Sequence, residues 1–286
     1  MTNILVAITN LVKNPDTNVV SRYRSVNRVN SMGDALEFYV KDLLCDSLRE
    51  EDLVKKDEIY AKHFSYLGNQ NNPPDFIIKD GDAIEVKKIE NFSSGLALNS
   101  SPPKDRLRFG DEKLQNACRN CEDKQWKEKD IFYVVGNVNK GMLRSLFFVH
   151  GTCYAANHEV YERVHSPIKR EVSSILKSLG FEGSTTVEVG RVKKVDPLGI
   201  TAFRIRGMWE IQNPVKVFEY VAPVDSRAEL SVNALMRKEK YLSFPEKDRK
   251  NLEELIGNKL CIKDVKIKDP NNPAKLLEAK LIHLVK

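Results

Sequence analysis

Pro73-Pro74-Asp75-Phe76-Ile77-Ile78-Lys79-Asp80-Gly81-Asp82-Ala83-Ile84-Glu85-Val86-Lys87-Lys88 reads as two short strands around a turn, with Asp75, Glu85 and Lys87 set among apolar residues. Apolar and β-branched residues run from Phe76 to Ile78 and from Ala83 to Val86, and Lys79-Asp80-Gly81 is the turn signal between them. A two-residue Asp80-Gly81 turn would set Asp75 opposite Val86 and send the two carboxylates to opposite sides of the ribbon. A three-residue loop with Gly81 in the left-handed position pairs Phe76 with Ile84 and Asp75 with Glu85 instead. In that register Phe76, Ile78, Ile84 and Val86 share one face, and Asp75, Ile77, Glu85 and Lys87 share the other. One face is core and the other bears chemistry.

Two carboxylates converging on one spot repel each other and call for a cation. Hard oxygen ligands in this number suit magnesium, with manganese as its substitute. Such an ion polarises a phosphoryl oxygen and acidifies a bound water, while the Lys87 ammonium beside it can orient that water and offset charge on the phosphate. Pro-Asp, a nine-residue gap and Glu-x-Lys on a strand form a compound pattern, far more specific than any single surface carboxylate.

The pattern resembles that of the PD-(D/E)xK nuclease superfamily, and longer stretches resemble one branch, the NgoPII-type type II restriction endonucleases. These stretches are Asn27 to Glu37, Phe64 to Asn69 leading into Asn72-Pro73-Pro74-Asp75, Leu96 to Ser101, Lys129 to Gly136, and Gly190-Arg191-Val192 through Arg206-Gly207-Met208-Trp209. The resemblance extends to about Tyr220 and does not reach the last sixty or so residues. It implies a homodimer that cuts double-stranded DNA at a short palindrome, GGCC. It also implies a metal site made by Asp75, Glu85 and the Val86 carbonyl, with Lys87 positioning the attacking water. The stretch from Met32 to Leu48 is helical by spacing, with Leu36, Tyr39, Val40, Leu43 and Leu44 on one stripe, and Glu37 flanks it. Some superfamily members use an acidic residue on this helix for a second metal position, which makes Glu37 a further candidate. A repair or recombination nuclease of the same superfamily, or a DNA-binding protein with a non-cleaving site, are the alternatives.

With 286 residues, 41% of them hydrophobic, the chain has ample material for a core. The reading is an α/β fold: a core at residues 1–221 with a mixed central sheet flanked by helices, and an α+β extension at 222–286. No run approaches twenty apolar residues and the start lacks a basic region before a long apolar one, so the expectation is no membrane span, no signal peptide and a cytoplasmic protein. Five cysteines, an odd number, argue against a disulfide framework. Cys118-x-x-Cys121 and His150-x-x-Cys153 have zinc-ligand spacing, but lie in an expected helix and strand without knuckle residues, so zinc is not assigned.

The net charge of +6 is mild, but its distribution is uneven: Gly190 to Lys216 holds six basic residues against two acidic ones. Alternation along Thr201 to Arg206 puts Arg204 and Arg206 on one side, suited to guanine O6 and N7, while Lys193 and Lys194 are phosphate candidates. Asn99, Ser100 and Ser101 at the tip of a polar loop from Asn91 to Arg108, and Asn30 with Asn27 and Arg28 just before the Met32–Leu48 helix, are further candidates for DNA contact. Elsewhere the pattern predicts helices over 111–123, 158–179 with Pro167 as a break or kink, 227–238 and 245–256. It predicts strands over 130–138, 143–149, 186–189, 201–206, 215–221, 259–267 and 279–285, and Trp126 in the core.

Overall fold

The computed structural model describes residues 2–19, 23, 32–69, 72–181, 188–225, 227–257 and 259–286. Helices α1 (Ile4–Lys13), α2 (Met32–Cys45) and α3 (Leu53–His63) come before strands β1 (Phe64–Asn69), β2 (Asn72–Ile78) and β3 (Ala83–Ile89). Short strands β4 (Leu96–Asn99) and β5 (Arg106–Arg108) and the single turn α4 (Asn116–Arg119) lead to β6 (Glu128–Asn139) and β7 (Met142–His150). Next are α5 (Gly151–Tyr154), α6 (His158–Ser178), β8 (Gly190–Lys193), β9 (Ala202–Ile205), β10 (Trp209–Ile211) and α7 (Pro214–Val217). The chain ends with β11 (Ser231–Arg237), α8 (Lys238–Ser243), α9 (Glu246–Glu253), β12 (Leu260–Asp269) and β13 (Asn272–Val285).

Among the described residues one mixed sheet runs in the order β1-β2-β3-β6-β7-β11-β13-β12, with β5 pairing to the start of β6. β3 lies parallel to β6 and β11 parallel to β7, while the remaining pairs are antiparallel. The strands of residues 222–286 therefore continue the same sheet, and β11 takes the edge that β7 would otherwise expose.

Both faces of the sheet are covered, so its central strands are apolar at odd and even positions alike. Phe76, Ile84, Phe132, Val134 and Phe148 pack with α1 and α2, whereas Ile77, Ala83, Tyr133, Val135 and Phe147 pack with Leu96, Leu98, Trp126 and Phe218. The α2 stripe behaves as its spacing predicts, with Leu36, Tyr39, Val40, Leu43 and Leu44 all buried. Gly136 lets that helix come down on β6, since a Cβ there would stand 2.6 Å from a methyl of Leu36. The fully buried Asp42 fixes the far end of α2 by accepting from Tyr23, Ser47, Tyr60 and Lys56. Glu37 is thereby held beside β2 and β3.

Four sequence expectations change, and of the strand expected over 186–189 only Glu188 and Val189 lie among the described residues, outside any strand. The helix over 111–123 shrinks to α4, because turns such as Leu114 N–H to the Asp111 carbonyl (3.0 Å) take over and Arg119 donates to the Phe109 and Asp111 carbonyls. The strand over 215–221 is instead the short helix α7, since Asn213 caps the Val215 amide at 3.0 Å and Pro214 opens the turn. The helix over 227–238 gives way to β11, whose Leu235 and Met236 favour helix locally but are buried between β7 and β13. Pro167 leaves α6 continuous. No described residue of that helix is buried, and Arg163, whose carbonyl loses its helical donor to the proline, is itself exposed.

Candidate active site

The hairpin adopts the register in which Phe76 faces Ile84 and Ile77 faces Ala83. Its turn closes through Ile78 N–H to the Asp82 carbonyl (2.9 Å) and Gly81 N–H to the Ile78 carbonyl (2.8 Å). The left-handed residue is Asp80 (φ 55°), not Gly81 as the sequence predicts; aspartate tolerates this region because its short polar side chain can bond locally. Beyond Phe76 the Val86 amide donates to the Asp75 carboxylate at 2.6 Å, a side-chain bond at the ladder's end. Gly68 on β1 completes the geometry, because a Cβ there would stand 2.4 Å from the Pro74 carbonyl oxygen.

Asp75, Glu85 and Lys87 open into one cleft of about 710 Å³. Its other walls include Asn99, Ser100 and Ser101 from the end of β4, Arg204 from β9 with Arg206 just after it, Lys113, and His165 from α6. Eight sequence-predicted residues thus meet in a single groove. Glu37 is not in its lining; it pairs with Lys41 at 2.5 Å, yet its charge is felt at both Asp75 and Lys87. Lys193 and Lys194 are exposed and also outside the lining. Asn27, Arg28 and Asn30 lie outside the described residues. His150 pairs with Asp130 at 3.2 Å, and no three His, Cys, Asp or Glu side chains among the described residues are grouped to hold a metal.

The electrostatics of the hairpin favour a cation. Burial, then the charges of Glu85 and Glu37, raise the Asp75 pKa well above the usual carboxylate range, against the pull of Lys87 and the Val86 amide. Burial acts to lower the Lys87 pKa, but Glu85 and Asp75 outweigh it and the net shift is upward, so Lys87 is an ammonium at neutral pH. That ammonium bonds one Glu85 oxygen at 2.7 Å, while the second, Oε2, is buried with no partner. An unsatisfied buried carboxylate oxygen is costly, and a divalent cation is the partner that the donor set fits. Asp75 and Glu85 would hold it, with the Val86 carbonyl on the same strand. The cleft as a whole sets four lysines and arginines (Lys87, Lys113, Arg204, Arg206) against four carboxylates (Asp75, Glu85, Glu112, Glu188). Without added positive charge it has little net attraction for a phosphodiester.

One consequence concerns stability. A carboxyl whose folded pKa is raised costs the fold stability as pH climbs from its ordinary value towards the folded one, and that loss persists above it. Asp75→Asn should therefore raise the melting temperature of the metal-free protein at neutral pH, and should abolish any stabilisation that added magnesium gives the wild type. Thermal melts with chelator and with magnesium read both effects, and an unchanged magnesium shift in the variant would remove Asp75 from the metal site.

Sequence reasoning missed Glu188, which binds both arginines: Arg204 Nε lies 2.9 Å and Arg206 Nε 2.7 Å from its Oε1. The Gly190–Lys216 charge window stops two residues short of it. Lys113 and His165 were also missed. Lys113 donates to the Ser100 carbonyl, and His165 is held below its ordinary pKa by burial and by Lys113. Both sit in stretches that read as solvated helix surface, and no local signal brings them to the cleft. Ser101 is buried with its hydroxyl unpartnered, so the Asn99–Ser101 tip is only partly a solvent loop.

The family model of the NgoPII restriction endonuclease matches residues 2–268. The type II restriction enzyme NgoPII of Neisseria gonorrhoeae is 46% identical over 283 residues, covering 98% of this chain and 98% of that enzyme. Similarity therefore continues well past Tyr220, where the motif resemblance ends. No solved structure matches the chain. Among the described residues no helix is long and apolar enough to cross a membrane.

Proposed function

Given that the chain belongs to the NgoPII restriction endonuclease family and is a type II restriction endonuclease, we propose that it cuts double-stranded DNA at the palindrome GGCC, as a cytoplasmic homodimer using magnesium. The observation that carries this reading is one cleft that joins a carboxylate pair and a lysine to a pair of arginines. The shared face of the β2–β3 hairpin supports a PD-(D/E)xK reading, with Asp75, Glu85 and Lys87 as the matching residues. Each chain offers one such hairpin, so a two-fold dimer supplies one for each strand of a palindrome.

Asp75, Glu85 and the Val86 carbonyl would hold magnesium or manganese, which would supply an acidified water and offset phosphate charge. The residues around it do the rest. Lys87 is a donor, not a proton acceptor, because its ammonium is stabilised by two carboxylates; it orients the attacking water and meets charge growing on the phosphate. The Val86 amide fixes the Asp75 carboxylate, so a ligand geometry exists before DNA arrives. Glu37, paired with Lys41 and felt electrostatically at Asp75, is the candidate for a second cation. On the facing wall Arg204 and Arg206 read guanine, Asn99, Ser100 and Ser101 contact base or backbone, and Lys193 and Lys194 reach phosphates further along the duplex. Every residue lining the cleft belongs to 1–221. We assign catalysis and recognition to that part and closure of the sheet to 222–286.

The metal test is direct. Magnesium or manganese should support cleavage, calcium should support DNA binding with little turnover because of its looser geometry, and a chelator should stop cleavage. Cleavage undiminished by chelator would contradict the assignment of Asp75 and Glu85.

A further inference from the structure

The Glu188 side chain is 11% exposed and is paired with two guanidiniums that are themselves 45% and 51% exposed. Arg204 gives the carboxylate its Nε (2.9 and 3.0 Å to the two oxygens) and its Nη2, and Arg206 gives its Nε at 2.7 Å. The contacts use the inner edges of the two groups. The Nη1 of Arg204 and both terminal nitrogens of Arg206 are not engaged by Glu188. All three residues line the cleft that holds Asp75 and Glu85. Exposed ion pairs add little to stability, and Ala202, Phe203 and Arg204 on this hairpin are solvent-exposed, so the trio is not accounted for by folding alone.

We propose that Glu188 is a specificity-determining positioning residue, which holds Arg204 and Arg206 as one fork and makes that fork prefer base edges to phosphates. The physical basis is charge. Two unpaired guanidiniums in a groove would form bidentate pairs with any phosphate, whatever the sequence. A carboxylate between them leaves a net charge of one where there would be two, and repels an incoming phosphate directly. Guanine O6 and N7 are neutral acceptors and meet no such repulsion. The same carboxylate removes rotamer freedom from both long side chains, so the outward edges are in place before binding. Hydrogen bonds from Arg204 and then Arg206 keep the Glu188 carboxyl down at about 2, so the anion persists throughout the working pH range.

The inference rests on the arginines as base readers, and the experiment separates the two. Binding is measured in calcium, across salt, to the duplex at which the wild type cuts and to a scrambled duplex. Glu188→Gln keeps the shape and removes the charge. It should bind the scrambled duplex more tightly, with a salt slope steeper by about one phosphate contact per chain, roughly 0.9 units. Its discrimination between the duplexes should fall about tenfold or more. Glu188→Asp keeps the charge but not the reach, so it should retain the wild-type salt slope and lose part of the discrimination. Wild-type discrimination in Glu188→Gln overturns the proposal, and so does an equal loss on both duplexes in both variants, which marks a merely structural residue. Arg204→Ala and Arg206→Ala are run alongside. If they keep full discrimination, base reading by the arginines fails and this role falls with it; if they lose it while Glu188→Gln does not, only the role of Glu188 fails.

Discussion

Alanine at Asp75, Glu85 or Lys87 should lower single-turnover cleavage by at least about 10³-fold, because each change removes a proposed metal ligand or the charge proposed to orient the water. The fold should survive all three. Asp75 and Glu85 repel each other across the end of the hairpin, and the hydrophobic face of Phe76, Ile78 and Ile84 beneath them is untouched. The two carboxylate variants carry a second signature. With fewer negative charges facing the scissile phosphate, they should bind DNA more tightly than the wild type in the absence of divalent ions. Lys87→Ala should bind more weakly instead, since it leaves Glu85 with neither oxygen bonded. Near-wild-type cleavage by any of the three would remove that residue from the site, and fluorescence anisotropy reads the binding half independently.

The second large effect is on sequence choice. Arg204→Ala combined with Arg206→Ala should lose cleavage at the specific site far more than affinity for DNA at large. A bidentate arginine on guanine is worth about 1–3 kcal/mol of discrimination, so the pair accounts for roughly 10²-fold or more. Lys193→Ala combined with Lys194→Ala should do the reverse, weakening binding to all sequences alike and flattening the salt dependence. Their positions agree with this division, since the arginines line the cleft with Asp75 and the lysines stand outside its lining. Titrating both double variants against a GGCC duplex and a scrambled one across salt decides it. A uniform loss for the arginines would demote them to backbone clamps and move base reading to Asn99, Ser100 and Ser101.

The hairpin was legible in the sequence because strand parity is rigid: once Phe76 and Ile84 share the core face, Asp75, Glu85 and Lys87 must share the other. The α2 stripe and the β6 and β7 runs were legible for the same reason, a period sustained over many residues. β11 was not, because Ala234, Leu235 and Met236 lean towards helix locally and only the slot between β7 and β13 makes them a strand. α7 was overlooked although Asn213-Pro214 is a helix-start signal, since Val215, Val217 and Val221 outweighed it. Within the cleft, each residue that parity could place was found. Glu188, Lys113 and His165 were not, because they reach the site through tertiary packing from separate elements.

The most direct measurement is digestion of a plasmid of known sequence with the wild-type protein and magnesium, with every fragment end mapped on both strands. The account predicts discrete fragments whose ends fall at one fixed position within every GGCC and nowhere else, with no products when a chelator replaces magnesium. Scattered ends, cutting set by DNA structure instead of sequence, or DNA retarded but left whole would contradict it.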